Sequence, residues 1–592
     1  MDTQVKEKIL QCVEIPGEEG TSKVIPLREA VRRYVRPGMT LHFCYASTTC
    51  YATMYEVMRQ YWQKRPDFTV AALGLLAVAA PFVYGGLAKR LITTYAGDAH
   101  PSPGPNPIYQ KAYREGRLEI ENWSLLTYTL RLKAGALDCG FLPTKSLLGS
   151  SMEEENKGSF ERIEDPFRPG MKLGAVSALK PDLSLCHAVA ADPHGNAIIA
   201  NPQSENFYGA MASKEGVLVS AEKIVSTDFI RKYSHLVRIP GYLVKSVSEV
   251  PFGAHPAALN SFALPEVEGY GIDYAFLIDA RKAARKEESF EKWVRYWVLE
   301  CEDRRDYLKR LGTERLLQLK AKAHKDAWFH EFEAMADHMD DGPEATPAER
   351  MIIAATYKLM ERVRTENYKI ILAGIGASNL AAWLATYFLK SEGYDVDLTA
   401  EVGFYGYLPR PMDPFIFNHA NIPSCKMATD TFEIMGIHLS GNPGACIGAL
   451  SAGQVDRHGN INTTKIPPNF YITGSGGGND VASGARECLV TAIQGTGRFV
   501  ERVAYVTSPG DRVRTLVSDL GIFEKPQGQE EFVLTGYMPV DHEGGKETSV
   551  RKIKSMCGWD LKIASDLVEI PSPDREDLSL LRSFDPKGHF LR

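Results

Sequence analysis

The sequence predicts an α/β protein built in two similar halves, each with a mainly parallel sheet flanked by helices. Three observations carry this. Short apolar runs of strand character alternate with helical stretches, the order that favours parallel strands covered on both faces. A phrase occurs twice, as Ala190-Ala191-Asp192-Pro193-His194-Gly195-Asn196 and as Gln454-Val455-Asp456-Arg457-His458-Gly459-Asn460. The chain also has 592 residues, more than the roughly 250–300 that one core holds.

The elements follow in order. Met1-Asp2-Thr3-Gln4 runs into acidic and polar residues, so no secretory signal is expected. The most apolar stretch, Val70 to Ala88, carries Pro81 and glycines and reads as a strand and turns rather than a membrane span. The two repeated phrases each follow an apolar run, Leu183 to Val189 and Cys446 to Leu450. Each is therefore a strand entering a tight Asp-x-x-Gly-Asn turn, where Asp, Asn and Gly suit positive φ. Duplication explains the match better than chance.

Arg281 to His338 is rich in Glu, Lys, Arg and Leu and reads as a solvated helical arm. Asp340-Asp341-Gly342-Pro343 breaks it, and Thr346-Pro347-Ala348-Glu349 has the form of a capped helix start. The boundary is placed at residue 343, giving halves 1–343 and 344–592. Lys369–Ala373 is then a buried strand, Asn379–Lys390 an amphipathic helix and Val396–Ala400 the next strand.

Composition narrows the function. Hydrophobic residues make up 44 % and charged residues 24 %, an ordinary soluble mixture. A net charge of −6 gives no bulk attraction to nucleic acid or anionic membrane. The ten cysteines are scattered singly, which points to reduced thiols in a cytoplasm and away from a zinc site or disulfide framework.

Three segments of the second half place unusual residues at strand ends, where open α/β sheets bind ligands. Gly374-Ile375-Gly376-Ala377-Ser378-Asn379 joins a strand to a helix; it lacks the third glycine of a dinucleotide fingerprint and serves equally as an ordinary turn. Ala400-Glu401-Val402-Gly403 puts a carboxylate at the end of an apolar strand, where burial costs energy unless donors surround it. Ile472-Thr473-Gly474-Ser475-Gly476-Gly477-Gly478-Asn479-Asp480 is a glycine run whose amides can hold an oxyanion, with Asn479 or Asp480 as the expected helix cap. It has no Gly-Lys-Ser/Thr and is no nucleotide loop.

In this order, Gly374-Ile375-Gly376, Glu401-Val402-Gly403, Gly459-Asn460-Ile461-Asn462 and Gly476-Gly477-Gly478-Asn479-Asp480 resemble the β half of class I CoA-transferases. The amino half resembles the α subunit of the glutaconate branch. Its cues are Arg36-Pro37-Gly38-Met39-Thr40, Ala112-Tyr113-Arg114-Glu115-Gly116, Ile120-Glu121-Asn122-Trp123-Ser124, Gly140-Phe141-Leu142-Pro143-Thr144 and Pro251-Phe252-Gly253-Ala254-His255-Pro256. One departure is Cys44-Tyr45-Ala46-Ser47-Thr48-Thr49, which has no glycine where the family carries a glycine-rich turn; it points to an acyl group unlike glutaconate.

The resemblance implies two tandem CoA-transferase-type domains with the active site at their interface. Glu401 would be the nucleophile of a ping-pong transfer through a glutamyl-CoA thioester. Asn462 and the amide near Gly477 would stabilise the acyl oxyanion. Gly374, Gly376, Gly403, Gly476 and Gly478 would contact coenzyme A, which is a substrate; no cofactor is held permanently and no metal is required. Acyl-CoA and carboxylic acid are the implied partners, and a homodimer or higher homo-oligomer the implied assembly. Tyr405, Tyr407 and Arg410 are pocket candidates, Arg410 as the partner of a second carboxylate. Two rival readings stay open: a ring-cleaving CoA-ester hydrolase using Glu121 as base, and a non-catalytic acyl-CoA binding protein.

Overall fold

The computed structural model describes residues 1–17, 20–46, 49–339, 342–526, 528–540 and 545–592. Each half is organised around one large twisted sheet. In the first, the strands Val244–Glu249, Val217–Ile224, Leu183–Ala191, Thr40–Phe43, Phe68–Leu75, Ala88–Ala96 and Glu119–Asn122 lie side by side in that order, all parallel. In the second, Val513–Val517, Glu487–Thr491, Cys446–Ser451, Ile370–Ala373 and Asp397–Ala400 are parallel neighbours. Antiparallel strands extend this second sheet at both edges. Central strands such as Leu183–Ala191 are buried at every residue, as parallel strands covered on both faces must be.

The duplication is visible atom by atom. Asp192 Oδ1 accepts from the amides of His194 and Asn196, and its Oδ2 accepts from Asn196 Nδ2. Asp456 makes the same three bonds with His458 and Asn460. Asn196 Oδ1 then accepts from Gly241 N at 2.9 Å, and Asn460 Oδ1 from Gly510 N at 2.9 Å. A distant lysine caps each set, Lys23 on the Gly241 carbonyl and Lys525 on the Gly510 carbonyl. Two turns with one hydrogen-bond pattern follow strands with matching neighbours.

The stretch Val70 to Ala88 forms the strand Phe68–Leu75 and a short helix, Pro81–Tyr84. Among the described residues no helix is long and apolar enough to cross a membrane. The charged stretch forms the helices Tyr274–Ala283, Glu287–Val294, Arg304–Leu311, Thr313–Lys322 and Ala327–Ala336. It is more than a solvated arm: Phe276, Phe290, Trp293 and Tyr307 pack into the first half's core beside Phe43 and Tyr55. The segment Cys44 to Thr49 lies partly outside the described residues, as does the break at Asp340-Asp341. The helix Pro347–Glu366 begins with a reciprocal capping box between Thr346 and Glu349.

Candidate active site between the halves

Glu401 follows the strand Asp397–Ala400, and the chain reverses at once through Gly403 into Phe404–Tyr405, antiparallel to the strand it has just left. Gly403 has φ of 124°, and a Cβ there would stand 2.3 Å from the Thr429 carbonyl oxygen and 2.7 Å from Pro202 Cβ. Only glycine allows that approach. The nucleophile candidate is thereby held in a reversal packed against a segment of the other half.

Its carboxylate is 8 % exposed. Burial, then the nearby Asp480 charge, raise the Glu401 carboxyl to about 8, against a downward pull from the Gly477 amide. A Cβ on Gly477 would lie 2.1 Å from Glu401 Oε2, so the glycine run sits directly on the carboxylate. Asp480 is also buried, which lifts its carboxyl to about 6 while the Leu126 amide and the Ser124 hydroxyl pull it down.

The loop is held by first-half backbone. Ala96 N donates to Thr473 O at 2.7 Å, Gly476 N to Thr94 O at 3.0 Å, and Leu125 N to Gly476 O at 3.1 Å. Thr94 and Ala96 end the strand Ala88–Ala96, and Leu125 begins the helix Leu125–Ala136. The helix Gly478–Gly484 starts after Gly477, and neither Asn479 nor Asp480 caps it. Both reach across the interface instead. Asn479 Oδ1 accepts from Leu147 N at 2.8 Å, while Asp480 accepts from Ser124 Oγ at 2.6 Å and Leu126 N at 2.9 Å. Side chains expected to serve their own helix instead join the two halves.

The remaining sequence candidates divide. Gly374 continues its strand, donating to Ala449 O at 2.8 Å. Gly376 has φ of 114° and precedes the helix Ala377–Ser391, which is the turn expected there. Gly476 has φ of 50°, and Gly478 opens the short helix. Asn462 is fully buried, and both its amide hydrogens are committed, to Gln454 Oε1 at 3.0 Å and Lys465 O at 2.9 Å. In this conformation it braces the turn Asn462–Lys465 and has no hydrogen left for an oxyanion. Tyr407 is a core residue accepting from Trp383 Nε1, Tyr405 packs on His438, and Arg410 stacks over Trp328 at 4.9 Å. Glu121 is held by Arg90 and Arg131 and by Trp123 Nε1 at 2.7 Å, the setting of a structural ion pair rather than a general base. Among the described residues no group of three or more His, Cys, Asp or Glu side chains is arranged to hold a metal ion.

Two residues of the site carried no sequence signal. Tyr45 is clamped at its backbone by Asn206, whose Oδ1 accepts from Tyr45 N and whose Nδ2 donates to Tyr45 O, both at 2.8 Å. Burial, then Glu205 and Glu401, hold its phenol well above the ordinary value. Ser475 Oγ, inside the glycine run, is buried with no hydrogen-bond partner among the described residues.

The arrangement joins a buried carboxylate and a glycine loop that lies against it and is fixed from the opposite half. Comparison with known proteins gives the same answer. Residues 24–250 match the family model described as coenzyme A transferase. The chain is 28 % identical over 317 residues to one of the subunits of glutaconate CoA-transferase from Acidaminococcus fermentans, covering 50 % of this chain and 95 % of that one. It is also 28 % identical over 258 residues to one of the subunits of 3-oxoadipate CoA-transferase from Pseudomonas knackmussii, covering 40 % of this chain and 93 % of that one. Chains that are separate in those enzymes therefore find their match in one polypeptide. An acyl-CoA transferase from Escherichia coli, solved as a thioester complex with CoA, shares the fold with a TM-score of 0.63 at 15 % identity, over 95 % of this chain and 97 % of that one. Residues 24–250 thus carry the match to the coenzyme A transferase model, and the chain as a whole is similar to coenzyme A transferases in sequence and in fold.

Proposed function

We propose that the protein moves coenzyme A from an acyl-CoA donor to a carboxylic acid acceptor, with Glu401 as the covalent nucleophile. The observation that carries this reading is the close approach of Gly477 to the Glu401 carboxylate in a buried interdomain site. A glutamate Oε attacks the thioester carbonyl and the CoA thiolate leaves, giving a mixed anhydride. The thiolate then attacks the glutamyl carbonyl, the first acid departs as its carboxylate, and a glutamyl-CoA thioester remains. An acceptor carboxylate then attacks the glutamyl-CoA thioester and reverses these steps, so no redox partner is needed, and ping-pong kinetics follow.

The glycine run serves the two oxyanions that form. Gly477 lies against the glutamyl carboxylate, with a Cβ there falling 2.1 Å from Oε2, so its amide is the donor best placed for the glutamyl tetrahedral centre. Losing one such donor costs about 2.7–4 kcal/mol of transition-state stabilisation. Ser475 Oγ, buried and without a partner among the described residues, takes the place in this scheme that the sequence suggested for Asn462. Burial of Glu401 raises its basicity and hence its nucleophilicity once ionised.

Incubation with short acyl-CoAs, borohydride reduction and peptide mass spectrometry test the scheme. The expected outcome is a reduced Glu401 that depends on acyl-CoA and is absent in Glu401→Ala. Acceptor-independent release of CoA without any modification of Glu401 would sink it in favour of hydrolysis.

A further inference from the structure

Beside the nucleophile lies a group of buried polar atoms that the transfer chemistry does not use. Glu205 is 0 % exposed, and neither of its carboxylate oxygens has a hydrogen-bond partner among the described residues. The same holds for His42 Nε2 and for the Tyr128 hydroxyl. His42 Nδ1 meets Ser184 Oγ at 2.8 Å, which leaves Nε2 facing Glu205 Oε1 at 3.8 Å, an ion-pair distance but too long for a hydrogen bond. Burial works against a charged imidazole here, yet Cys44 and Glu205 outweigh it and lift His42 to about 9. Burial first and Glu205 second hold the Tyr128 phenol well above its ordinary value. Buried polar groups are nearly always satisfied, and a carboxylate that accepts no hydrogen bond is a costly exception even beside a cation.

The position of this group gives it a purpose. Pro202 packs against Gly403 of the nucleophile turn, Gln203 N donates to Thr429 O at 2.8 Å, and Thr431 N donates to Ser204 O at 3.1 Å. The chain from Pro202 to Asn206 is thus laid along the second half beside the Glu401–Gly403 turn, and Asn206, next to Glu205, clamps the backbone of Tyr45. Tyr45 is the residue that feels both carboxylates. His42 is packed so closely on Gly209 that a Cβ there would meet the imidazole Cε1 at 2.0 Å, so the imidazole has no room to turn away. Carboxylate oxygens can only accept hydrogen bonds, and among the described residues no Lys or Arg is ion-paired with Glu205, whose charged neighbour is His42. His42 balances one carboxylate and leaves nothing to balance a second.

We propose that Glu205 sets acyl specificity: its carboxylate accepts a hydrogen bond from a hydroxyl on the acyl chain and disfavours an acyl group ending in a second carboxylate. This rests on the transferase reading for the identity of the bound ester, but its own readout is affinity. A site built to receive a hydroxyl leaves its buried acceptor unsatisfied by the unsubstituted chain, whereas a charged hydrogen bond strengthens binding by about 10- to 100-fold.

The test measures binding of butyryl-CoA, of 2-, 3- and 4-hydroxybutyryl-CoA and of glutaryl-CoA to the full-length protein by calorimetry, with Glu401 trapping run on the same samples. Wild type is expected to bind at least one hydroxybutyryl-CoA about 10-fold or more tightly than butyryl-CoA, with glutaryl-CoA weakest. Glu205→Leu is expected to bring the hydroxybutyryl and butyryl affinities together while still binding butyryl-CoA. Glu205→Gln, which keeps the volume, is expected to reduce the preference and serves where the leucine variant fails to fold. Equal binding of hydroxylated and plain esters by wild type, a preference that survives in both variants, or tightest binding of glutaryl-CoA would overturn the proposal. A hydroxyl preference without any Glu401 adduct would overturn the transferase reading and leave the specificity assignment standing.

Discussion

At the scale of single residues, the site depends on the state of one carboxyl. Glu401 is raised to about 8 by burial and by Asp480, so near neutral pH most of the empty enzyme carries an acid where the chemistry needs a carboxylate. The trapping rate of the free enzyme is therefore expected to rise about tenfold per pH unit below 8 and to level off above it, read by quenched-flow mass spectrometry across pH 6–9.5. The same shift bears on stability. Below the ordinary carboxyl range the group is protonated both folded and unfolded, and it costs nothing. Between there and pH 8 the unfolded chain has released a proton that the folded chain keeps, so rising pH favours unfolding; above 8 the penalty is constant. Glu401→Gln removes a penalty of up to about 5 kcal/mol. The gap between variant and wild-type melting temperatures should widen from pH 5 to pH 9, and a constant gap would contradict the buried, raised acid.

At the scale of elements, the glycine run Gly474–Gly478 decides whether Glu401 can react. Gly477 has an ordinary φ of −85°, so alanine is tolerated by the backbone, but its Cβ would lie 2.1 Å from Glu401 Oε2 and 3.0 Å from Met435 Cε. Gly477→Ala is expected to slow trapping by about 100-fold or more with little change in the melting curve, checked by running both measurements on one preparation. The sequence announced this loop and the glutamate because both are local signals: a carboxylate at an apolar strand end, and more glycines than a plain turn needs. The halves and their shared turn were also legible, since Asp192 and Asp456 act within four residues of themselves. Long-range chemistry was not. Asp480 read as a helix cap because its true donors, Ser124 and Leu126, lie in the other half. Asn462 read as an oxyanion donor because nothing local shows that Gln454 and the Lys465 carbonyl take both its hydrogens. Glu205 carries no motif at all; only its burial without partners singles it out.

At the scale of the molecule, the interface and the reaction centre are one structure. The Asp480 carboxylate both ties the halves together through Ser124 and Leu126 and raises Glu401. Asp480→Asn should therefore act twice. It weakens charge-assisted hydrogen bonds worth about 1.5–3 kcal/mol each, lowering the melting temperature, and it moves the pH midpoint of Glu401 trapping below 8. A loss of stability with an unmoved midpoint would separate the two roles. The duplicated sheet carries a further consequence. Phe68–Leu75 stands in the first sheet where Asp397–Ala400 stands in the second, yet it is followed by Leu76 while its counterpart is followed by Glu401. Under the proposed scheme the second copy supplies the reacting carboxylate and the first supplies none at that strand end, so each polypeptide would carry out a single acyl transfer at a time.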